Sequence, residues 1–223
     1  MENIILIETS TALCSVALAE NGVVTAYRES SAPKAHASLT AVFVQEVLSE
    51  RGLTLACCDA VCVSKGPGSY TGLRVGVSTA KGLCFGSGRP LLAVGTLDTL
   101  VAQAEGEYKY IIPMIDARRM EVYACVFENG AQITKTEPVI VDENSFAEYL
   151  EQGSCLFIGD GAGKCADVIK HPNAQFCQCN PKASAMLTPA MKAYNEKRFE
   201  DVAYFEPFYL KEFVATVSKK KLF

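Results

Sequence analysis

Tryptophan is absent from the 223-residue sequence, and histidine occurs only twice, at positions 36 and 171. Two imidazoles leave little room for a histidine-based metal site or a Ser-His-Asp hydrolase, because both need an imidazole beside further ligating or catalytic groups. An excess of basic residues is also absent, since 21 Lys and Arg face 25 Asp and Glu and the formal net charge is −4. The chain as a whole therefore lacks the basic field of a stand-alone nucleic-acid binder, and a role on RNA would need a partner.

Long apolar runs are missing as well, because no uninterrupted stretch approaches the ~18 residues of a membrane-spanning helix. The start of the sequence has an acid, no basic segment and only a short apolar stretch at residues 4–7, which does not fit a secretory leader. We therefore expect a cytoplasmic protein without a membrane segment, whose ten cysteines are reduced. Most of them lie in apolar runs and are predicted core residues, and the pairs Cys57/Cys58 and Cys177/Cys179 lack the spacing of zinc ligands.

The first part of the chain has the pattern of a three-stranded meander followed by a helix. Apolar residues make up 49% of the sequence, which is typical of a compact globular protein. Alternation at residues 5–18 and 23–27, with the turn pair Asn21-Gly22 between them, predicts three antiparallel strands. Residues 36–51 contain neither Gly nor Pro and are predicted to form a helix.

Alternating strands and helices are expected next. A short apolar strand at residues 60–64 leads into a second predicted helix, which ends near Gly86. A fifth strand is predicted at residues 90–94, after which Thr96 is expected to cap a helix with Asp98 near its positive end.

The second part of the chain repeats this order with little residue identity. Its expected strands and helices lie at residues 111–115, 121–127, 133–141, 145–151 and 163–170. The repeat predicts an α/β protein of two tandem lobes related by duplication. The first lobe is assigned to residues 1–105, and a degenerate second lobe to residues 106–223.

The strongest local motif is a glycine loop between a strand and a helix. Its residues are Gly66, Pro67, Gly68, Ser69, Tyr70, Thr71, Gly72 and Arg74. Glycines allow close backbone approach, and the first amides of the following helix can hold an anion. The loop lacks the Gly-Lys-Ser/Thr of a P-loop and the spacing of a dinucleotide site. The alternative interpretation is a tight turn whose helix, with small residues at 72, 76, 80 and 82, lets another helix approach closely.

Other candidate catalytic residues are few. Asp116 precedes Arg118 and Arg119 at an expected strand end, where the acid could hold a metal and the arginines a phosphate; a charged hairpin tip is the alternative. His36 has no second histidine one turn later, and Ser69 does not lie in a Gly-x-Ser-x-Gly elbow. The residues alone therefore predict neither a catalytic site nor a bound metal.

The helix predicted at residues 36–51 carries apolar side chains in two rows. The rows are Leu39, Phe43 and Val47, and Ala41, Val44 and Leu48. Two rows predict two covered faces, so one row can serve the lobe's own sheet and the other a partner. The alternative is that both rows are internal.

Several motifs occur together in one order along the chain. The run from Gly66 to Val77 with Ala80-Lys81-Gly82-Leu83 follows Ile7-Glu8-Thr9-Ser10-Thr11 and His36, and precedes Thr96-Leu97-Asp98 and Asp116-Ala117-Arg118-Arg119-Met120-Glu121-Val122-Tyr123. Together they closely resemble the TsaB family, the bacterial accessory subunits for threonylcarbamoyladenosine synthesis on tRNA. The resemblance is dense from residue 4 to about 127. Beyond that it rests on Gly159-Asp160-Gly161-Ala162 and Pro207-Phe208-Tyr209-Leu210.

The resemblance implies two actin/hexokinase/Hsp70-like (RNase H-like) lobes and a non-catalytic relative of the catalytic subunit TsaD. In catalytic relatives a His-x-x-x-His pair on the first helix binds the metal, whereas here His36 is followed four residues later by Thr40. Active members of the superfamily carry an Asp-x-Gly loop, and here Glu8-Thr9-Ser10 has neither residue. Both departures indicate lost chemistry.

The resemblance also implies partners. The first two helices are expected to bind a TsaD-like catalytic subunit or, in a homodimer, a second copy of the chain, through His36, Leu39, Phe43, Val44, Leu73, Val77 and Ala80. A TsaE-like ATPase is the other expected partner, with ATP used by the partner subunits and no cofactor bound tightly by this chain. tRNA is expected to be reached through the complex, with Arg118 and Arg119 as candidate tRNA or anion contacts. A metal-independent, glycoprotease-like hydrolase and a weak ATPase remain alternative functions.

Overall fold

The computed structural model describes residues 2–211, which form two β-sheets covered by helices. The first sheet contains β1 (Asn3–Glu8), β2 (Cys14–Glu20), β3 (Val23–Ser30), β4 (Ala60–Ser64) and β5 (Leu91–Val94). The second contains β6 (Tyr110–Asp116), β7 (Glu121–Ala124), β8 (Phe127–Glu128), β9 (Ala131–Gln132), β10 (Glu137–Ile140), β11 (Cys155–Gly159) and β12 (Ala174–Gln178). The α-helices are α1 (Ala35–Glu50), α2 (Tyr70–Ser87), α3 (Thr96–Ala102), α4 (Ala147–Leu150), α5 (Ala162–Ala166) and α6 (Leu187–Asn195).

Both sheets have the same strand order and direction. The first runs β3-β2-β1-β4-β5 and the main path of the second runs β10-β7-β6-β11-β12. In each sheet the central strand pairs antiparallel with the strand that follows it and parallel with a later strand, as Leu6 does with Ala17 and with Cys62. The shared order confirms the predicted duplicated α/β architecture.

The first sheet is covered on both faces, which explains the unbroken apolar sequence of β1. Ile5 and Ile7 point towards α1 and α2, whereas Ile4 and Leu6 point to the opposite face. Helix α1 begins and ends within one residue of the predicted bounds, because residues 36–51 contain no helix breaker. Seven of the ten cysteines are buried, which confirms their predicted place in the core.

The covering of the second face corrects the predicted lobe boundary. Ala183, Met186 and the α6 residue Ala190 pack in one apolar cluster with Ile4 and Leu6 of β1. The last part of the predicted 106–223 lobe therefore belongs to the core of the first lobe. The sequence does not show this return because no local pattern links two segments about 180 residues apart.

Helix α3 packs between the lobes. Its Leu97 and Leu100 share an apolar cluster with Ile115 and Ile158 of the second sheet. Thr96 does not cap this helix, contrary to the prediction, because the cap position is Gly95 and the Thr96 hydroxyl lies 2.8 Å from that of Ser64. Within residues 2–211, none of the helices has the length and apolarity needed to cross a membrane.

Candidate functional site

The glycine loop joins β4 to α2 and packs against the loop between β1 and β2, residues 9–13. The Ser69 amide donates to the Ser10 carbonyl at 2.6 Å, and the Thr9 hydroxyl donates to the Gly72 carbonyl at 2.8 Å. The Ser69 hydroxyl caps α2 by accepting from the Gly72 amide. The Ser69 hydroxyl is thus engaged as a helix cap.

Three glycines permit this contact. A Cβ added at Gly68 would meet the Ser10 carbonyl, one at Gly72 would meet the Thr9 carbonyl, and one at Gly76 would meet the Thr9 hydroxyl. A Cβ at Gly82, by contrast, has no atom within 4 Å. The idea that small residues of α2 let another helix approach is therefore wrong for positions 72 and 76 within the chain, where they accommodate the β1–β2 loop.

A cleft of about 680 Å³ opens between the lobes beside the glycine loop. Its walls come from the β1–β2 loop, the start of α2, the end of β6 with the turn that follows, and residues 208–211. Both lobes contribute polar groups, so the cleft can hold a polar ligand.

A buried acid lies next to the β1–β2 loop. Glu8, at the end of β1, is fully buried, and one of its carboxylate oxygens accepts from the Ser10 amide at 2.7 Å. Burial raises the pKa of the Glu8 carboxyl to about 7, against the opposing effect of the hydrogen bonds from Ser10. The other Glu8 oxygen and the hydroxyls of Ser10 and Thr11 are buried without a hydrogen-bond partner.

The predicted arginine pair lies in the turn between β6 and β7. Arg118 and Arg119 are exposed and both adopt positive φ angles, 73° and 50°. Lys164 of α5 holds this turn, because its Nζ donates to a carboxylate oxygen of Asp116 and to the carbonyls of Arg119 and Glu121. Asp116 pairs with Lys164, and within residues 2–211 neither arginine side chain has an ion pair.

The residues after α6 cross from one lobe to the other over this cleft. We call residues 207–211 the C-terminal strap. The Phe208 amide donates to the Lys65 carbonyl at 2.7 Å, the Tyr209 ring lies 4.8 Å from that of Tyr70, and Lys211 pairs with Glu121 of the second lobe. The sequence marked these residues only through the resemblance, because nothing local shows what they contact.

Most of the predicted partner-binding side chains lie inside the first lobe. Phe43, Val44, Val77 and Ala80 belong to the apolar core between the helices and the sheet, and Leu73 is fully buried. In the isolated chain these five side chains therefore do not face outward, whereas Ala41 of the second row is exposed.

Two predicted partner residues are more accessible. Leu39 is partly buried against the core, and His36 faces the cleft, where its Nε2 lies 2.8 Å from the Thr11 carbonyl. Residues 2–211 contain no group of three or more His, Cys, Asp and Glu side chains arranged to hold a metal.

The outward side of α1 and α2 is a surface of small and apolar residues, which we call the exposed helix face. It consists of Ala41, Val42, Ser78, Gly82 and Phe85. Phe85 is 87% exposed and Val42 is 42% exposed. The sequence placed a partner surface on these two helices but did not name Val42, Ser78 or Phe85 for it, because a helical period identifies rows of apolar residues but not which row the sheet covers.

Comparison with known proteins agrees with this geometry. The sequence model of a family described as TsaD, tRNA N6-adenosine threonylcarbamoyltransferase, matches residues 28–219. The tRNA threonylcarbamoyladenosine biosynthesis protein TsaB of Escherichia coli K12 is 31% identical over 225 residues, which cover 95% of this chain and 96% of that protein.

Solved structures give the same picture. YeaZ from Pseudomonas aeruginosa superimposes with a TM-score of 0.81 at 28% identity, over 94% of this chain and all of the other. The activator of 2-hydroxyisocaproyl-CoA dehydratase from Clostridium difficile, solved with ADPNP, gives a TM-score of 0.50 at 11% identity, over 88% of this chain and 96% of that chain. The second likeness concerns the fold alone and, with the shared strand order of the two sheets, confirms the actin/hexokinase-like lobes.

Proposed function

Because the chain belongs to the TsaB family of tRNA threonylcarbamoyladenosine biosynthesis proteins, we propose that it is a non-catalytic accessory subunit. It binds and activates a TsaD-like catalytic subunit, which transfers threonylcarbamoyl to the tRNA adenosine next to the anticodon. A TsaE-like ATPase joins the complex and uses ATP. In the absence of the catalytic subunit, a second copy of the chain occupies the same surface.

The observation that carries the proposal is the exposed helix face. Gly82 and Ser78 give α2 a flat surface, and Phe85 leaves an aromatic ring in water, which is costly unless a partner covers it. Small residues beside an exposed aromatic anchor are suited to packing against helices of another chain. Docking there would use α1 and α2, as expected from the sequence. It would involve the exposed helix face rather than the buried side chains, such as Phe43 and Val77, that the sequence analysis named.

The site geometry supports an assembly role over a catalytic one. The Ser69 hydroxyl accepts the hydrogen bond that caps α2, and His36 Nε2 lies 2.8 Å from the Thr11 carbonyl, so both atoms have a partner within the chain. Thr40, which stands where catalytic relatives have their second histidine, is buried, and its hydroxyl donates to the His36 carbonyl at 2.6 Å.

Co-purification with a TsaD-like subunit tests the proposal. Gly82→Arg adds a long side chain where the isolated chain has free space, so it should leave folding intact and abolish the complex. Phe85→Asp should weaken the complex, whereas the matched control Ile140→Asp, in the second lobe and also strongly exposed, should not. Modification of tRNA in a reconstituted reaction should follow complex formation.

The alternative functions predict different results. A hydrolase or weak ATPase would release product from the isolated chain, and phosphate release from ATP measures the latter directly. Turnover by the chain alone, or normal complexes with both Gly82→Arg and Phe85→Asp, would show that the accessory role through this surface is wrong.

A further inference from the structure

The arginines of the chain fall into two groups by their partners. Four of the seven are engaged within residues 2–211: Arg28, Arg51 and Arg198 pair with glutamates, and Arg89 donates to a carbonyl. The other three are Arg74, Arg118 and Arg119, and in the described part of the chain none of them has a carboxylate or carbonyl partner for its guanidinium. We call these three the arginine rim, because Arg118 lines the interlobe cleft and the other two flank it.

The acids near the arginine rim are occupied by other groups. Asp116 pairs with Lys164, and Glu121 pairs with Lys211. Asp160 accepts from the Asp116 amide at 2.8 Å. The positive charge of the arginine rim is therefore not used for internal ion pairs, although carboxylates lie close by.

Aromatic rings lie beside the same cleft. Tyr70 and Tyr209 line it, with their ring centroids 4.8 Å apart, and the Arg74 guanidinium lies 4.3 Å from the centre of the Tyr70 ring. Tyrosine faces and guanidinium planes are the groups on which proteins stack unpaired RNA bases. Guanidinium groups also bind phosphate through paired hydrogen bonds.

The turn that presents two of these arginines is held in an uncommon conformation. Two consecutive residues other than glycine at positive φ are costly, and such strain persists where surrounding contacts impose it, often at ligand sites. Here Lys164 contacts the turn through three hydrogen bonds, and the Arg118 amide donates to Asp116. The turn therefore projects Arg118 and Arg119 towards solvent at a fixed position beside the cleft.

From these observations we propose that the arginine rim and the two tyrosines form an RNA-contacting surface that holds an unpaired segment of tRNA. The arginines bind its phosphates, and Tyr209, whose ring packs against that of Tyr70, stacks with a base. The inference rests on the proposed function, because the net charge of −4 opposes RNA binding by the chain alone and the catalytic subunit must supply further contacts.

The test measures binding of a tRNA transcript to the complete complex of this chain with its catalytic and ATPase partners. In Arg118→Ala/Arg119→Ala, affinity at low salt should fall by about tenfold, and the slope of log K against log salt should decrease by roughly 1.4 to 1.8 for two lost phosphate contacts. Tyr209→Ala should weaken binding by roughly fivefold or more, whereas Tyr209→Phe keeps the ring and should bind normally. Arg198→Ala, which removes an arginine paired with Glu196, is the matched control and should change neither quantity.

The outcomes separate this inference from the proposed function. If the variant complexes assemble and bind tRNA with unchanged affinity and salt dependence, the RNA surface is wrong and the accessory role stands. If AMP or ATP binds the cleft through the same arginines while tRNA affinity does not depend on them, the site belongs to a free nucleotide and the inference also fails. If the wild-type chain forms no complex, the proposed function fails and the inference fails with it. Melting temperatures of all variants show whether a loss reflects unfolding.

Discussion

The two lobes share a strand order but differ in their covering. In the first lobe, α1 and α2 have 16 and 18 residues and cover one sheet face completely. At the matching places in the second lobe, α4 and α5 have 4 and 5 residues. The second meander is also interrupted, because β9 and β10 are separate short strands. The two lobes are thus more alike in strand pairing than in helix length. The long helices lie in the first lobe, where a partner surface is proposed.

The ends of the two central strands sharpen this comparison. Glu8 ends β1 and is fully buried, whereas Asp116 ends β6, is exposed and pairs with Lys164. Equivalent positions thus carry an acid in both lobes, but water and a lysine reach only the second. The surroundings of one glycine in each lobe also differ. A Cβ added at Gly72 would meet the Thr9 backbone carbonyl, whereas a Cβ added at Gly161 would lie nearest to a side-chain methyl group of Val122.

The largest expected effect comes from these glycines. Gly72→Ala places a methyl group against the Thr9 carbonyl, which cannot move without breaking β1 away from α2, so unfolding free energy should fall by about 3 kcal/mol or more. Gly161→Ala meets a methyl group of Val122 and should cost only about 1–2 kcal/mol. Denaturant unfolding of both variants measures the difference, and equal losses would remove this distinction between the lobes.

A slightly smaller change in the free energy of unfolding should come from the protonation of Glu8 as the pH is varied. The Glu8 pKa is raised from 4.5 to about 7 in the folded chain, so the folded state binds the proton more tightly than the unfolded state does. The stability from this group is fully present below pH 4.5 and is lost as pH rises through 7, by about 3 kcal/mol. Glu8→Gln should abolish this part of the pH dependence. Parallel stability curves for the two proteins between pH 5 and 8 would contradict the prediction.

The smallest effect should come from the exposed helix face. Gly82→Ala adds a methyl group with no neighbour and restricts the unfolded chain, so it should stabilise α2 by up to about 1 kcal/mol. The gain should appear in the isolated chain as a higher melting temperature. A loss of stability would mean that position 82 is not open within the lobe.

The sequence predicted the first lobe well because its signals are local. Asn21-Gly22 gives the hairpin turn at positive φ, and the absence of breakers gives α1. The direction of apolar rows could not be predicted in the same way, because Val44 and Val42 are the same residue type and yet Val44 is buried and Val42 is exposed. The strap and the return of α6 depend on contacts between distant residues, and no local pattern encodes them.

The site was predictable to a similar extent. The glycine loop and the arginine pair were identified from residue types alone, whereas the role of Lys164 in holding the turn was not. A single lysine on a short helix carries no pattern that points to a turn some forty residues earlier. Three-dimensional contacts were also needed to show that, within residues 2–211, the side chains of Arg118 and Arg119 have no ion pair while Asp116 and Glu121 do.

The return of α6 to the first sheet has a consequence for synthesis of the chain on the ribosome. Ala190 and Ala193 are made more than 180 residues after Ile4 and Leu6, with which they pack. The first lobe therefore cannot close both faces of its sheet while the second is being translated. Until α6 has been made, one apolar face of the first sheet stays exposed to chaperones or to non-native contacts. Because the first lobe completes its core only after the second lobe has been translated, the two lobes form a single folding unit.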